Sequence, residues 1–111
     1  MDNLSNLPAK NKTYSILEHC RNNLNDWAVI HIDILNFQSY GVMYGVSQSD
    51  KAISRTAKFL QKVLNGMDLN EYFLGHLGRD NFVVVADTNS FEKIIFEVKR
   101  NFKTILENLY K

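Results

Sequence analysis

Between Lys10 and Leu24 the apolar positions Tyr14, Ile16, Leu17, Cys20 and Leu24 recur at helical spacing, which predicts an amphipathic helix with Cys20 on its buried face. "NNLND", Asn22 to Asp26, then reads as a loop. In "WAVIHIDIL", Trp27 to Leu35, apolar residues do not alternate cleanly, the pattern of a strand covered on both faces and set in the middle of a sheet. A short helix over Asn36 to Tyr44 is predicted to stop at Gly45. "SQSD" offers caps to a further helix in which Ile53, Ala57, Leu60 and Leu64 share a face, closed by Asn65 and Gly66. "EYFLGHL" and "NFVVVAD" read as strands joined by a hairpin over Gly78 to Asn81. Asn89 followed by Glu92 resembles a capping box, and from Phe91 to Leu109 the residues Ile94, Ile95, Val98, Phe102, Ile105 and Leu106 mark one long amphipathic helix.

The order is helix, strand, helix, helix, strand, strand, helix. It predicts an α+β sandwich of the ferredoxin-like kind, an antiparallel sheet with helices packed on it. In that topology a fourth strand returns beside the first, and the sequence ends before it. Residues 1–111 are thus expected to form a single, C-terminally truncated domain whose first-strand edge is covered by missing chain or by a partner.

Charge narrows the function classes. Thirteen Lys and Arg against twelve Asp and Glu leave a formal charge of +1, which argues against nucleic acid as a partner. No apolar run approaches the roughly 20 residues of a membrane span. The opening "MDNLSNLPAK" lacks the segments of a signal peptide, and the lone Cys20 fits a reducing, cytoplasmic setting.

In this topology the first strand lies beside the second hairpin strand, so Asp33 and Asp80 come together at one end of the sheet. Two carboxylates there repel unless a cation sits between them, and Mg²⁺ suits hard oxygen ligands. Other readings are that Arg79 folds over and neutralises the pair, removing any need for metal, or that Asp80 is a solvated turn residue. Arg79 has three readings of its own: the internal neutraliser, a solvated turn residue, or a donor to a phosphate held in a changed pose. His31 reads as a hydrogen-bonded strand residue rather than a ligand, and His76 as a strand residue near the loop or a phosphate neighbour. Tyr72, Phe73 and Phe82 invite comparison with base-stacking aromatics, an idea that fails on charge.

"DNLSNLPAK", Asp2 to Lys10, is similar to the D-x-L-T-G-L-P-N-R opening signature of GGDEF domains, the diguanylate cyclase family. "IDILNFQSYGVMYGVSQSD" resembles that family's I-D-I-D-x-F-K-x-x-N-D-x-x-G-H-x-x-G-D segment without a gap, and "LGRDNF" stands where the family has G-G-[DE]-E-F. The resemblance implies a nucleotide cyclase palm and, for active members, condensation of two GTP into cyclic di-GMP with divalent ions. Asp33, the Ile34 carbonyl and Asp80 would be the metal ligands. Asp50 would read the guanine edge, and Gly78 matches the first loop glycine.

Departures from the motif point away from catalysis. Leu35 replaces the second aspartate of the D-x-D pair, Gln38 a phosphate-facing lysine, and Gly41 the asparagine that binds guanine. Arg79 puts a bulky cation where the family has glycine, a candidate for blocking the site. Asn81 replaces an acid, and an amide cannot serve as a base. Charge-assisted hydrogen bonds are each worth about 1.5–3 kcal/mol, so the Gln38 and Gly41 changes together cost ~3–5 kcal/mol of nucleotide affinity. Losing a general base costs a further ~10²–10⁴ in rate. The loop Gly78, Arg79, Asp80, Asn81 and Phe82 is accordingly expected to be degraded, with no functional catalytic residue and only residual nucleotide contacts at Asp50, Gly78, Gln38 and Gly41. The family's inhibitory R-x-x-D window reads "LNEY", Leu69 to Tyr72, so that cyclic di-GMP site is expected to be absent.

The resemblance therefore implies a degenerate domain acting as a regulatory or interaction module in bacterial cyclic di-GMP signalling. Its expected partner is a neighbouring sensory, receiver or phosphodiesterase domain, or a second copy. The alternatives are a sensor that binds GTP with Mg²⁺, or a weakly active cyclase of altered specificity.

Overall fold

The structure, a computed structural model, describes residues 5, 7–21, 27–34, 36–69 and 71–110, with side chains left out at 21 and 102–110. Helix α1 (Lys10–Arg21) precedes strand β1 (Trp27–Asp33), followed by helices α2 (Phe37–Tyr44) and α3 (Val46–Gly66). Strands β2 (Tyr72–Gly78) and β3 (Asn81–Asp87) form the hairpin. A single 3₁₀ turn over Thr88–Ser90 leads into helix α4 (Phe91–Tyr110). This is the α+β order that the periodicity predicts. The Asn22 to Asp26 loop and Leu24 lie outside the described residues.

The strands form an antiparallel sheet in the order β1-β3-β2. β3 is therefore the central strand, and it is covered on both faces. Phe82, Val84 and Ala86 face the main core with Leu74, Ile53, Leu60, Leu64 and Ile94, while Val83 and Val85 face a second cluster with Cys20, Ile16 and Leu17 of α1. β1, predicted to lie mid-sheet, is an edge of the described sheet. Ile30 and Ile32 pack inward; on the other face Trp27 joins the cluster under α1, and Val29, His31 and Asp33 are exposed, because α1 packs chiefly over β2.

Local details also depart from the pattern. Tyr14 is exposed, and Thr13 takes its place on the buried face of α1. α3 starts at Val46, so "SQSD" lies inside the helix, where Ser49 Oγ donates back to the Gly45 carbonyl at 3.1 Å. Ahead of α4 the capping carboxylate is Asp87, which accepts from the Ser90 N–H at 3.0 Å, rather than the box Asn89 and Glu92 would make.

α1 comes close to the sheet at Gly75, where an added Cβ would collide with Thr13 Oγ1. Thr13 is fully buried and donates to the Ala9 carbonyl at 2.8 Å, so it has little room to retreat. Gly75→Ala is expected to destabilise the fold by about 1–3 kcal/mol in urea denaturation, the usual range for overpacking. Thr13→Ala in the same chain should recover part of that loss.

Burial pushes the Cys20 thiol up from its ordinary range, and the negative charge of Glu71 adds to the shift. The neutral thiol is the form the fold favours. Its stabilisation is complete below the free thiol's range and fades as pH rises through the raised folded value. Cys20 should resist alkylation at mildly alkaline pH and react once urea unfolds the chain, as followed by mass spectrometry.

Candidate functional site

The pairing of β1 with β3 builds the site. Asp33 stands opposite Asn81, and one step further the Ile34 N–H donates to the Asp80 carbonyl at 3.3 Å. Asp33 and Asp80 thus share one end of the sheet, with the Ile34 side chain turned into the core. Between β2 and β3 the turn is tight and irregular, with a register shift between His76 and Gly78. Gly78 has φ 137°, a region glycine occupies without strain. Arg79 has φ 45°, left-handed backbone that costs a non-glycine residue on the order of 1–3 kcal/mol.

The surroundings of the turn hold it in place. His76 is buried, stacks on Phe82 with ring centroids 4.7 Å apart, and brings Nε2 to 2.6 Å from the Arg79 carbonyl. A carbonyl only accepts, so Nε2 carries the proton. In the neutral ring Nδ1 then accepts from Ser5 Oγ at 3.1 Å, and that oxygen accepts from the Leu7 N–H at 3.2 Å. The His76 N–H donates to the Pro8 carbonyl at 2.9 Å, so the segment before α1 runs along β2. Asn81 Nδ2 reaches the Gly78 carbonyl at 3.4 Å, which turns the amide back across the turn. Phe82 is a core residue, and His76 is a brace inside the fold.

Arg79 lies over the Phe37 ring, its guanidinium carbon 5.2 Å from the centroid. Among the described residues it forms no ion pair with Asp33 or Asp80, so the neutralising arrangement is not the one adopted. Asp33 Oδ1 instead lies 3.4 Å from His31 Nε2, with both side chains more than half exposed, a geometry worth little in water. Through Phe37 the turn meets the first turn of α2, which carries the exposed Gln38. Leu35 lies outside the described residues.

Further along α2 a Cβ at Gly41 would stand 2.9 Å from Ser49 Oγ of α3, next to the half-buried Asp50. The space beside Gly41 is therefore held by a serine. The adjoining surface is apolar: Val42 is 85% exposed, Met43 74% and Val46 71%. In the "LNEY" window Leu69 packs against the core and the Tyr72 hydroxyl donates to Asn65 Oδ1; Asn70 lies outside the described residues.

Among the described residues no cluster of three His, Cys, Asp or Glu side chains is placed to hold a metal. Mg²⁺, however, usually takes one or two protein carboxylates beside phosphate and water. Asp33, Asp80 and the Ile34 carbonyl fit that need in kind, and they are the groups that would hold the ion. Once bound it would neutralise phosphate charge.

The profile of the family described as "Diguanylate cyclase, GGDEF domain" matches residues 1–110. The chain belongs to the GGDEF family. A search of curated proteins finds no match. Solved GGDEF structures share the fold at low identity. Diguanylate cyclase SiaD of Pseudomonas aeruginosa, in complex with its activator SiaC, superposes with a TM-score of 0.71 at 16% identity, over 87% of this chain and 38% of that one. The GGDEF domain of DgcB from Caulobacter crescentus, in complex with c-di-GMP, gives 0.69 at 18%, over 88% and 61%. The FimX GGDEF domain of Pseudomonas aeruginosa gives 0.71 at 12%, over 97% and 64%. This chain thus spans 38% to 64% of those chains.

Within this GGDEF domain, sequence reasoning missed Ser5, Ser49 and Phe37, the neighbours that set His76, Gly41 and Arg79. Only the side-by-side placement of Asp33 and Asp80 was open to topology. Ser5→Ala is expected to cost about 1 kcal/mol and His76→Phe about 1–3 kcal/mol in urea denaturation, because the second also strips the Arg79 carbonyl of its donor. Equal losses would mean that the Arg79 end of the brace carries nothing.

Proposed function

We propose that this chain is a degenerate GGDEF domain acting as a regulatory, protein-contacting module in bacterial cyclic di-GMP signalling, without diguanylate cyclase activity. The observation that carries the reading is at the guanine end: Gly41 offers no side chain, Ser49 fills the space beside it, and Val42, Met43 and Val46 present an apolar surface. An exposed apolar patch of this kind favours protein contact over a polar base edge. Two further features support it. Arg79 is stacked on Phe37 in the loop where the family approaches nucleotide with glycine, and Asn81 is turned back onto the Gly78 carbonyl. The partner would be a sensory, receiver or phosphodiesterase domain, or a second copy, in the cytoplasm.

A second reading has its own support. The nearness of Asp33 and Asp80 favours a sensor that holds GTP through Mg²⁺ without turning it over, with Asp50, Gly78 and Gln38 as residual contacts.

Incubated with GTP and Mg²⁺, the purified chain should make cyclic di-GMP at a rate at least ~10⁴ below an active GGDEF domain, a deficit set by the lost base and lost substrate contacts. Chromatographic detection of product at a comparable rate would sink the proposal. Calorimetric titration of GTP is expected to be silent with and without Mg²⁺. Heat that depends on Mg²⁺ and vanishes in Asp33→Asn moves the function to the sensor reading, and binding gained only in Arg79→Gly identifies the arginine as the block.

A further inference from the structure

On the helical side of the domain an open groove of about 1350 Å³ runs between α3 and α4. Phe59 and Val63 lie in it, and Phe96 stands on its α4 side with 62% of its surface exposed. Its two lips differ in charge. Along α3, Lys51, Arg55, Lys58 and Lys62 fall at i, i+4, i+7 and i+11, one stripe of an α-helix, and the last three line the groove. All four are exposed, and none forms an ion pair with a described residue. α3 contains no acidic residue after Asp50; of the acids that line the groove, Asp68 lies past the end of α3, and Glu92 and Glu97 stand on the α4 side with Lys93. The α4 lip is mixed, and its Glu97 carboxylate is already engaged by Arg100 at 3.1 Å.

We propose that this groove docks an acidic amphipathic helix from a partner protein, with its apolar stripe on Phe96 and Val63 and its carboxylates along the α3 lip. The groove is open along its length, and an apolar floor between charged lips is how a groove receives a helix. Charge complementarity selects the partner's sign. A second copy would bring its own cationic α3 lip to the contact, and the near balance of charge over the chain argues against nucleic acid. No lining residue belongs to α2 or to the hairpin turn, so the proposal stands whether or not that end of the domain holds nucleotide.

The test is fluorescence anisotropy on the full chain. The probe is a labelled amphipathic peptide of ~18 residues, long enough to hold helix, with leucines on one face and glutamates on its flanks. A control peptide carries lysine for each glutamate. The acidic probe should bind at least ~10-fold tighter than the control, and its affinity should fall as salt screens the lip. Lys58→Glu with Lys62→Glu should weaken it by a similar factor, as should Phe96→Ser. These positions are exposed, so the variants are expected to stay folded, which circular dichroism checks. Equal binding of the two peptides, no binding of either, or indifference to the charge reversal overturns the proposal. So does a concentration-dependent dimer in sedimentation velocity that Phe96→Ser abolishes, which assigns the groove to a second copy.

Discussion

The structure depends on the pairing of β3 along both of its edges, and on what fixes the register of that pairing. β3 itself specifies little, since its two faces are both apolar and a slip by one residue would exchange one set of valines for another. The specification comes from β1. Ile30 and Ile32 point into the core, while His31 and Asp33 point to solvent. A slip of one position would carry an imidazole and a carboxylate into the core and leave the isoleucines outside, at a cost of several kcal/mol per buried charge. Asp33 therefore guards the register in addition to any part it has in binding a cation. The same register sets Asp33 opposite Asn81 and Ile34 against Asp80, so sheet pairing and site assembly are one event.

That assembly ends in a strained turn, and its stability is a balance. Left-handed backbone at Arg79 opposes folding by on the order of 1–3 kcal/mol. Against it stand three carbonyls: that of Gly78 accepts from Asn81, that of Arg79 from His76, and that of Asp80 from Ile34. At roughly 1 kcal/mol each, such bonds offset the strain. The stack of Arg79 on Phe37 adds about 0.5–1 kcal/mol for an exposed cation over a ring. The arginine at this position is thus accommodated by its neighbours rather than merely tolerated, and it ties the hairpin to α2. All three turn carbonyls accept a bond from within the protein.

How far the sequence disclosed this depends on the range of each contact. The helices, the hairpin and the pairing of the first strand with the third could be read from local periodicity and from a topology with few alternatives. β1 differs from the predicted mid-sheet strand because His31 and Asp33, alternating with Ile30 and Ile32, describe a strand with a largely solvated face. Val83, Val84 and Val85 in succession are the true mark of a strand covered on both sides. The brace on the loop could not be read in advance. Ser5 and His76 are 71 positions apart, and nothing in the spacing of either announces the other. The same holds for Arg79 over Phe37 and for Ser49 beside Gly41. Motif comparison identifies the position of a departure, and only the packing shows what occupies the space it leaves.

The distribution of charge around the hairpin end bears on which of the two functional readings is physically favoured. From Trp27 to Ser49 the chain contains no lysine or arginine, so β1 and α2 bring no permanent cation to the place where a triphosphate would lie. From Ile34 to Ser49 it contains no charged residue of either sign. A polyphosphate held here would rely on Arg79, now committed to an aromatic face, and on whatever ion Asp33 and Asp80 retain. Without that ion the two carboxylates repel the ligand. A protein surface meets no such penalty at Val42, Met43 and Val46, where contact removes apolar area from water at about 25 cal/mol per Å² and leaves no charge stranded. On the proposed reading, nucleotide binding at this end would need a metal and protein contact would not.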